Sequence, residues 1–350
     1  MKLGMDICSY YVDELAALFK EKGEPAFRAK QLYDWLHNKR VRSFDEMSNL
    51  PQKTRQWLSD EYRIPVVKLV RKQVSKDGTE KYLFGFADGN CVETVAMEYE
   101  HGLAVCVSTQ VGCRMGCKFC ASTQNGLVRS LTAGEILQEV YETEKVKGEV
   151  VDSVVLMGIG EPLDNMDNVL RFYDIVTDQK GYGLKNRSVT LSTCGITPKI
   201  YELAEKKKQL TLVLSLHEAF SEKRSEIMPI NKAYPLEQVV AACRDYVKTT
   251  GRRVSFEYTL IHGFNDSDED AEKLASLMHG FQSHVNVIPV NSAGRGNFEA
   301  TRAEANGFAA KLTRLGVNAT VRRTLGDDIS AACGQLRRDV EQENVEKEQQ

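Results

Sequence analysis

The chain has 350 residues, of which 42% are hydrophobic and 27% are charged, and its formal net charge is -3. Such a composition is typical of a globular protein with a substantial core, and the length allows one large domain and a smaller one. No apolar run approaches the ~20 residues that span a bilayer, and the N-terminus lacks a signal-peptide pattern. We therefore expect a cytoplasmic protein that makes no membrane contact.

The first 65 residues are predicted to form a small helical domain. Helical patterns lie in DELAALFKEKG, PAFRAKQLYDWLHNKR and LPQKTRQWLSDEY. Seven basic residues outnumber three acidic ones in residues 28–55, and aromatic residues lie among them; the basic residues are Arg28, Lys30, Lys39, Arg40, Arg42, Lys53 and Arg55. Two interpretations stay open, a solvated face over an aromatic core and a surface that binds nucleic acid.

Residues 66–98 are predicted to form a β extension with a hairpin at Asp88-Gly89-Asn90. In residues 99–330, apolar runs alternate with amphipathic helical segments; the runs are LAVCVST, DSVVLMG, SVTLST, LTLVLSLH, RVSFEYTLI, HVNVIPV and NATVRR. This alternation predicts an α/β fold in which helices cover a parallel sheet. Six or seven units favour a closed or partly open barrel, whose chemistry lies at the C-terminal ends of the strands. Residues 331–350 are predicted to form a C-terminal segment that ends in a polar tail.

Three of the nine cysteines, Cys113, Cys117 and Cys120, lie close together, directly after the first predicted barrel strand. Structural disulfides are rare in a reducing compartment, so the group indicates metal binding or catalysis. A structural zinc ion needs a fourth ligand nearby, and none follows at the spacing of a zinc ribbon. An iron–sulfur cube held by three cysteines leaves one iron open to a substrate. The spacing favours the cluster, with zinc as the alternative.

At these residues the chain resembles the radical S-adenosylmethionine superfamily, whose motif is C-x3-C-x2-C with an aromatic residue, here Phe119, before the last cysteine. The resemblance implies a 4Fe-4S cluster that binds S-adenosyl-L-methionine on its fourth iron and cleaves it to a 5′-deoxyadenosyl radical. The segment MGIGEPLDN resembles the superfamily's site for the amino end of S-adenosyl-L-methionine. Its glycines allow close backbone approach, and Glu161 can receive an ammonium group.

Further segments make the chain similar to the RlmN/Cfr family; they are VCVSTQVGCRMGCKFCAST, MGIGEPLDN, VTLSTCGI, LSLH, MPIN, VNVIPVN and GDDISAACGQLR. The resemblance covers essentially the whole chain and implies a partial (β/α)6 barrel behind a small N-terminal helical RNA-binding domain. It implies a set of contacts to S-adenosyl-L-methionine, namely Gly160, Glu161, Ser192, Ser215, Leu216, His217 and Asn291. Without the resemblance, Ser192 and Ser215 would be ordinary strand-end hydroxyls and His217 a core histidine.

The resemblance also assigns Cys333, Cys106 and Glu93 to methyl transfer. Carbon 2 of adenine is electron-poor, so a first S-adenosyl-L-methionine methylates a cysteine, which matches Cys333. A radical from a second one takes a hydrogen from that S-methyl group, and the methylene radical adds to carbon 2. Glu93 matches the general base that removes the carbon-2 proton, and Cys106 matches the thiol that frees the product through a transient disulfide. The cysteines that match no motif should be inert; they are Cys8, Cys91, Cys194 and Cys243.

The implied substrates are an adenosine of 23S rRNA and of tRNA, and a flavodoxin-type protein is a reasonable electron donor. Cfr-type methylation of carbon 8 of the same adenosine is the nearest alternative, although CASTQNGL and GEPLDN favour carbon 2. A zinc-stabilised RNA-binding protein without enzymatic activity is the second alternative. The candidate phosphate contacts are the basic residues of 28–55 together with Arg322, Arg323, Arg337 and Arg338.

Overall fold

The computed structural model describes residues 5–289, 300–326 and 328–329. Its helices are α1 Val12–Glu21, α2 Phe27–His37, α3 Gln52–Glu61, α4 Ala133–Lys147, α5 Met166–Thr177, α6 Thr197–Glu205, α7 Ser221–Ile227, α8 Leu236–Thr250, α9 Asp268–Met278 and α10 Arg302–Arg314. Its strands are β1 Met5–Asp6, β2 Tyr62–Arg63, β3 Lys68–Val74, β4 Glu80–Gly85, β5 Cys91–Tyr99, β6 Gly102–Cys106, β7 Gln110–Gly112, β8 Leu127–Ser130, β9 Val151–Leu156, β10 Val189–Thr193, β11 Thr211–Ser215, β12 Val254–Leu260, β13 Ser283–Pro289 and β14 Ala319–Val321. The predicted site residues Asn291 and Cys333, and the basic residues Arg337 and Arg338, lie outside the described residues.

Ten strands form one sheet in the order β14-β13-β12-β11-β10-β9-β6-β5-β4-β3. Strands β6 and β9 to β14 pair in parallel, while β3, β4 and β5 extend the sheet in antiparallel fashion from β6. The α/β fold with a partial parallel barrel is therefore confirmed. The predicted hairpin is also present, because β4 and β5 pair around residues 86–90. A two-stranded sheet of β7 and β8 was not predicted.

The parallel strands are apolar because helices cover them. All seven residues of β12 are buried, as expected for a strand that is covered on both faces. The crossover helix α4 has sequence signals at both ends. A capping box of Thr132 and Glu135 precedes it, and Gly148 follows it in the left-handed conformation, with a φ of +80°. None of the helices in the described part of the chain is both long and apolar enough to cross a membrane.

The three N-terminal helices are present as predicted, and they share one hydrophobic cluster with the barrel. Phe19 of α1 and Leu32 of α2 are fully buried in that cluster. Arg42 and Arg40 reach across to α4, where they form ion pairs with the buried carboxylates of Glu142 and Glu144. These two arginines therefore join the N-terminal helices to the barrel, which the sequence interpretation as phosphate contacts did not foresee.

We expect the Arg42→Ala substitution to lower the free energy of unfolding by about 1–2 kcal/mol, because it leaves the buried Glu142 carboxylate without its cation. Urea denaturation followed by circular dichroism measures the change. Arg302→Ala at the exposed first residue of α10 is the matched control, with an expected change within about 0.5 kcal/mol. An equal loss in both variants would contradict the role of the Arg42–Glu142 pair.

Candidate active site at the cysteine loop

The three clustered cysteines lie on a loop, residues 113–126, whose base is closed by β7 and β8. The Cys113 N–H donates to the carbonyl of Gly126 at 3.0 Å. Gly112 has a φ of +79°, and a Cβ atom at this position would lie 2.0 Å from the same Gly126 oxygen. Only glycine fits there. The glycine that the sequence shows before the first cysteine thus allows the two ends of the loop to meet.

A cavity of about 210 Å³ opens beside this loop, at the C-terminal ends of the parallel strands. Eight of the predicted site residues line it, which are Cys113, Cys117, Cys120, Gly160, Glu161, Ser192, Ser215 and His217. The fold therefore collects in one place residues that are more than 100 positions apart in the sequence. Leu216 is predicted as a contact but does not line the cavity; its side chain is buried in the main hydrophobic cluster.

Glu161 joins two of the strand-end loops. Its Oε1 accepts the N–H of Leu163 at 3.0 Å, and its Oε2 accepts the N–H of Cys194 at 2.8 Å. The Thr193 hydroxyl and the Cys194 thiol also donate to this carboxylate, but burial outweighs all these donors and raises the pKa of Glu161. Gly160, with a φ of +111°, packs so tightly that a Cβ would lie 2.8 Å from the backbone nitrogen of Gln110. The acid is therefore fixed by backbone contacts on both sides.

Cys194 is a fourth thiol in the cavity that the sequence motifs did not single out. It follows β10 and packs in one apolar cluster with Cys113 and Cys117. Burial, followed by the charge of Glu161, raises its pKa well above the usual value. Cys194 therefore stays a neutral thiol that donates to Glu161, and its expected inertness stays a prediction.

His217 has a strained backbone, with a φ of +59°. Its Nδ1 accepts the N–H of Thr259 at 3.1 Å, and its carbonyl accepts the side-chain amide of Asn265 at 2.8 Å. Burial, followed by the charge of Arg224, lowers the pKa of His217 to about 3. The ring is thus neutral with its proton on Nε2. It makes an edge contact with Phe119 of the cysteine loop at a centroid distance of 4.8 Å.

Two hydroxyls and an ion pair complete the cavity wall. Ser192 and Ser215, at the ends of adjacent parallel strands, have their Oγ atoms 3.4 Å apart. Across the cavity, Glu257 Oε1 accepts a hydrogen bond from the side-chain amide of Asn286 at 3.1 Å. Glu257 Oε2 lies 3.4 Å from the guanidinium of Arg322, with which it forms an ion pair. Arg322 lines the cavity, and its role as a phosphate contact stays a prediction. No sequence motif pointed to Glu257, because its partners come from other strands.

The chemistry of the cysteine loop suits an iron–sulfur cluster. Burial raises the pKa of both Cys113 and Cys117, and a bound metal supplies the positive charge that stabilises their thiolates. Among the described residues, no three groups of His, Cys, Asp or Glu converge on a position for a single metal ion. A cluster gives each of three thiolates its own iron, whereas one zinc ion needs convergent ligands. The three thiols of the loop match the three protein ligands of a cluster with one open iron, whereas a structural zinc site takes four.

Glu93 and Cys106 lie on neighbouring antiparallel strands beside the barrel, outside the lining of the cavity. Glu93 on β5 forms an ion pair with Lys81 at 2.9 Å, and both side chains are buried. Cys106 on β6 is buried in a small cluster with Val95 and Met97. Because side chains alternate along a strand, Glu93 shares a face with this cluster. Met157 packs against the same cluster and also lines the cavity, so the two groups of residues are neighbours.

The chain that leads towards Cys333 is anchored near Cys106. Leu325 packs against the Cys106 cluster. The Gly326 N–H donates to the Asp77 carboxylate at 2.9 Å. The Asp328 carboxylate accepts one hydrogen bond from the Ser75 hydroxyl and a second, of 3.2 Å, from the Lys76 N–H. These hydrogen bonds join Gly326 and Asp328 to the turn between β3 and β4. The last described residues before Cys333 therefore lie on the antiparallel part of the sheet, with Leu325 against the Cys106 cluster.

Comparisons with known proteins agree with this geometry. Residues 107–275 match the Radical SAM superfamily, and residues 5–64 match the Ribosomal RNA large subunit methyltransferase N-terminal domain. A probable dual-specificity RNA methyltransferase RlmN of Clostridium novyi is 47% identical over 341 residues, covering 97% of this chain and 99% of that protein. The protein of the same name from Lachnospira eligens is 48% identical over 334 residues, or 95% of each chain.

A solved structure is similar over nearly the full length. The crystal structure of a radical SAM methyltransferase from Sphaerobacter thermophilus matches with a TM-score of 0.89 and 40% identity, covering 95% of this chain and 98% of that chain. Both the fold and the sequence are thus shared from the N-terminal helices through the barrel. The chain belongs to the RlmN family of radical S-adenosylmethionine methyltransferases.

Proposed function

We propose that the chain methylates carbon 2 of an adenosine in 23S rRNA and in tRNA, through an S-methylcysteine at Cys333 and with two molecules of S-adenosyl-L-methionine. The main support is the single cavity in which three cysteines of the C-x3-C-x2-C motif meet Glu161 and the strand-end hydroxyls. The full-length relatives named as dual-specificity RNA methyltransferases support the choice of both RNA substrates.

Five of the cavity residues have a task in the proposed reaction. Cys113, Cys117 and Cys120 hold a 4Fe-4S cluster at one side of the cavity. When bound, the cluster and S-adenosyl-L-methionine supply the radical that removes a hydrogen from the S-methyl group. The Glu161 carboxylate binds an ammonium group, and the neutral His217 ring has an Nε2–H to donate towards the cavity. A flavodoxin-type protein, or another low-potential donor, supplies the electron.

Product release is the task of the second group of residues. Glu93 takes the proton from carbon 2, and the unpaired electron of the adduct returns to the iron–sulfur centre that supplied it. The Cys106 thiolate then attacks the sulfur of Cys333, forming a disulfide as the sulfur–carbon bond to the base breaks, and the released methylene carbon takes up a proton to become the methyl group. A thiol reductant then reopens the disulfide. The contacts of Leu325, Gly326 and Asp328 near the Cys106 cluster support this pairing. Glu93 lies on the face of β5 that carries Val95 and Met97 of that cluster, which supports its place beside the thiol that releases the product.

RNA binding is proposed for the exposed basic side chains of the N-terminal helices. Lys30, Lys39 and Lys53 are exposed, whereas Arg40 and Arg42 are held by carboxylates of α4. The match of residues 5–64 to a ribosomal RNA methyltransferase N-terminal domain supports this surface. Lys39 pairs with Asp34 at the surface, where both side chains are exposed. Exposed lysine side chains that reach phosphate oxygens give an affinity for RNA that depends on salt.

The position of the methyl group tests the proposed function. After reaction with unmodified 23S rRNA, nuclease digestion and mass spectrometry should give an adenosine that co-elutes with the carbon-2 standard. The Cys333→Ala variant is the control that should give no methyladenosine. A product that co-elutes with the carbon-8 standard would replace the proposal with the Cfr-type activity, and the absence of any methylated nucleoside would overturn both.

We expect Cys117→Ala to lose most of its iron and sulfide, together with the production of 5′-deoxyadenosine from S-adenosyl-L-methionine under reduction. The matched control is Cys194→Ala, which removes a thiol from the same cavity but should keep the cluster. Iron and sulfide analysis of anaerobically reconstituted protein measures the difference. Equal iron loss in both variants, or bound zinc in the unmodified chain, would contradict the assignment of the three cysteines.

We expect Cys106→Ala to keep the cluster but to accumulate a covalent adduct with RNA, because the thiol that opens the sulfur–carbon bond is missing. Denaturing gel electrophoresis of labelled RNA with and without nuclease measures the adduct. Cys243→Ala, which removes a buried thiol of α8 outside the cavity, should release product normally. Release of methylated RNA by Cys106→Ala at the normal rate would rule out the resolving role.

A further inference from the structure

Arg224 of the short helix α7 is a fully buried cation that neither the sequence motifs nor the proposed reaction uses. Its guanidinium donates to the carbonyls of Leu216 at 3.0 Å, Cys194 at 2.8 Å and Ser215 at 3.2 Å, and to the side chain of Asn231 at 2.8 Å. All four acceptors are neutral. The side chain thus bridges the ends of β10 and β11 beneath the cavity.

Within the residues that the structure describes, no carboxylate forms an ion pair with Arg224. The nearest connection to an acid runs through Cys194, whose carbonyl accepts from Arg224 while its N–H donates to Glu161. Burial of a charged group away from water lowers the free energy of unfolding unless an opposite charge lies nearby. A bound anion near the buried guanidinium would therefore stabilise the folded protein.

The cysteine loop lies directly against the helix that carries Arg224. The Lys118 N–H donates to the carbonyl of Ile227, the last residue of α7, at 2.9 Å. Cys117 packs with Ile227 and Met228 in one buried apolar cluster. Cys194, whose carbonyl accepts from Arg224, packs in that same cluster beside Cys113 and Cys117. The guanidinium is thus bonded to a residue that lies against two of the three cysteines.

We propose that Arg224 is the counter-charge of the iron–sulfur centre and raises its reduction potential. This inference rests on the proposed cluster at Cys113, Cys117 and Cys120. Three thiolates bring negative charge beside the buried Arg224, and one-electron reduction by the donor adds another negative charge. A fixed cation in a medium of low dielectric constant stabilises the more negative, reduced form. Arg224 is a positioning and electrostatic residue and does not touch the substrate.

The test compares two variants at this position with one on the same helix. Arg224→Gln removes the charge and keeps part of the hydrogen bonding, whereas Arg224→Lys keeps the charge. Lys223→Gln removes a positive charge that is partly exposed and paired with Asp270. Each anaerobically reconstituted protein, without RNA or S-adenosyl-L-methionine, is titrated with dithionite, and the reduced cluster is measured by electron paramagnetic resonance.

We expect the midpoint potential of Arg224→Gln to shift to more negative values, while Arg224→Lys and Lys223→Gln stay close to the unmodified protein. Loss of the cluster in the Gln variant with retention in the Lys variant also supports the inference. The inference would be overturned if all four proteins had equal midpoint potentials, or if Arg224→Gln and Arg224→Lys shifted equally. It would also be overturned if both Arg224 variants lost the cluster. An unmodified protein without a cluster would instead overturn the proposed function.

Discussion

Backbone contacts hold the cysteine loop over the ends of the parallel strands, and the packing of Cys117 against Ile227 and Met228 adds to them. The carbonyl of Gly126 occupies the space that a side chain at Gly112 would need, and the N–H of Lys118 is bonded to the end of α7. These contacts fix the loop at its base and at its centre. The three sulfur atoms therefore face one cavity before any metal binds, which lowers the entropy lost on assembly of the cluster.

The order of strands connects this cavity to the residues proposed to release the product. Strand β6 pairs with β9 on one side and with β5 on the other, so Cys106 lies between the barrel and the antiparallel extension. Met157, just beyond β9, contacts both regions. The antiparallel extension on the first barrel strand thus carries the proposed product-release residues without interrupting the barrel. In the proposed function, these residues lie next to the cavity in which the radical is formed.

Local sequence rules predicted most of the fold, because apolar periodicity and capping residues act over a few positions. The runs from LAVCVST to NATVRR became β6 and β9 to β14, and the hairpin around residues 86–90 formed as expected. Contacts between distant segments were not predictable in this way. Arg42 pairs with Glu142, one hundred positions away, so a basic patch in sequence became an interdomain contact. Cys194 and Arg224 reach the site only through the arrangement of strand ends.

Glu161 shows why the site combines rigidity with an exchangeable contact. Its carboxylate accepts two backbone N–H groups, a hydroxyl and the thiol of Cys194. A carboxylate has about four acceptor positions, so in the protein alone they are all used. A thiol is a weak donor, whereas an ammonium group forms a charge-assisted hydrogen bond of about twice the strength. In the proposed function, the amino group of S-adenosyl-L-methionine therefore displaces the thiol at little cost, while the backbone donors keep the acid in place.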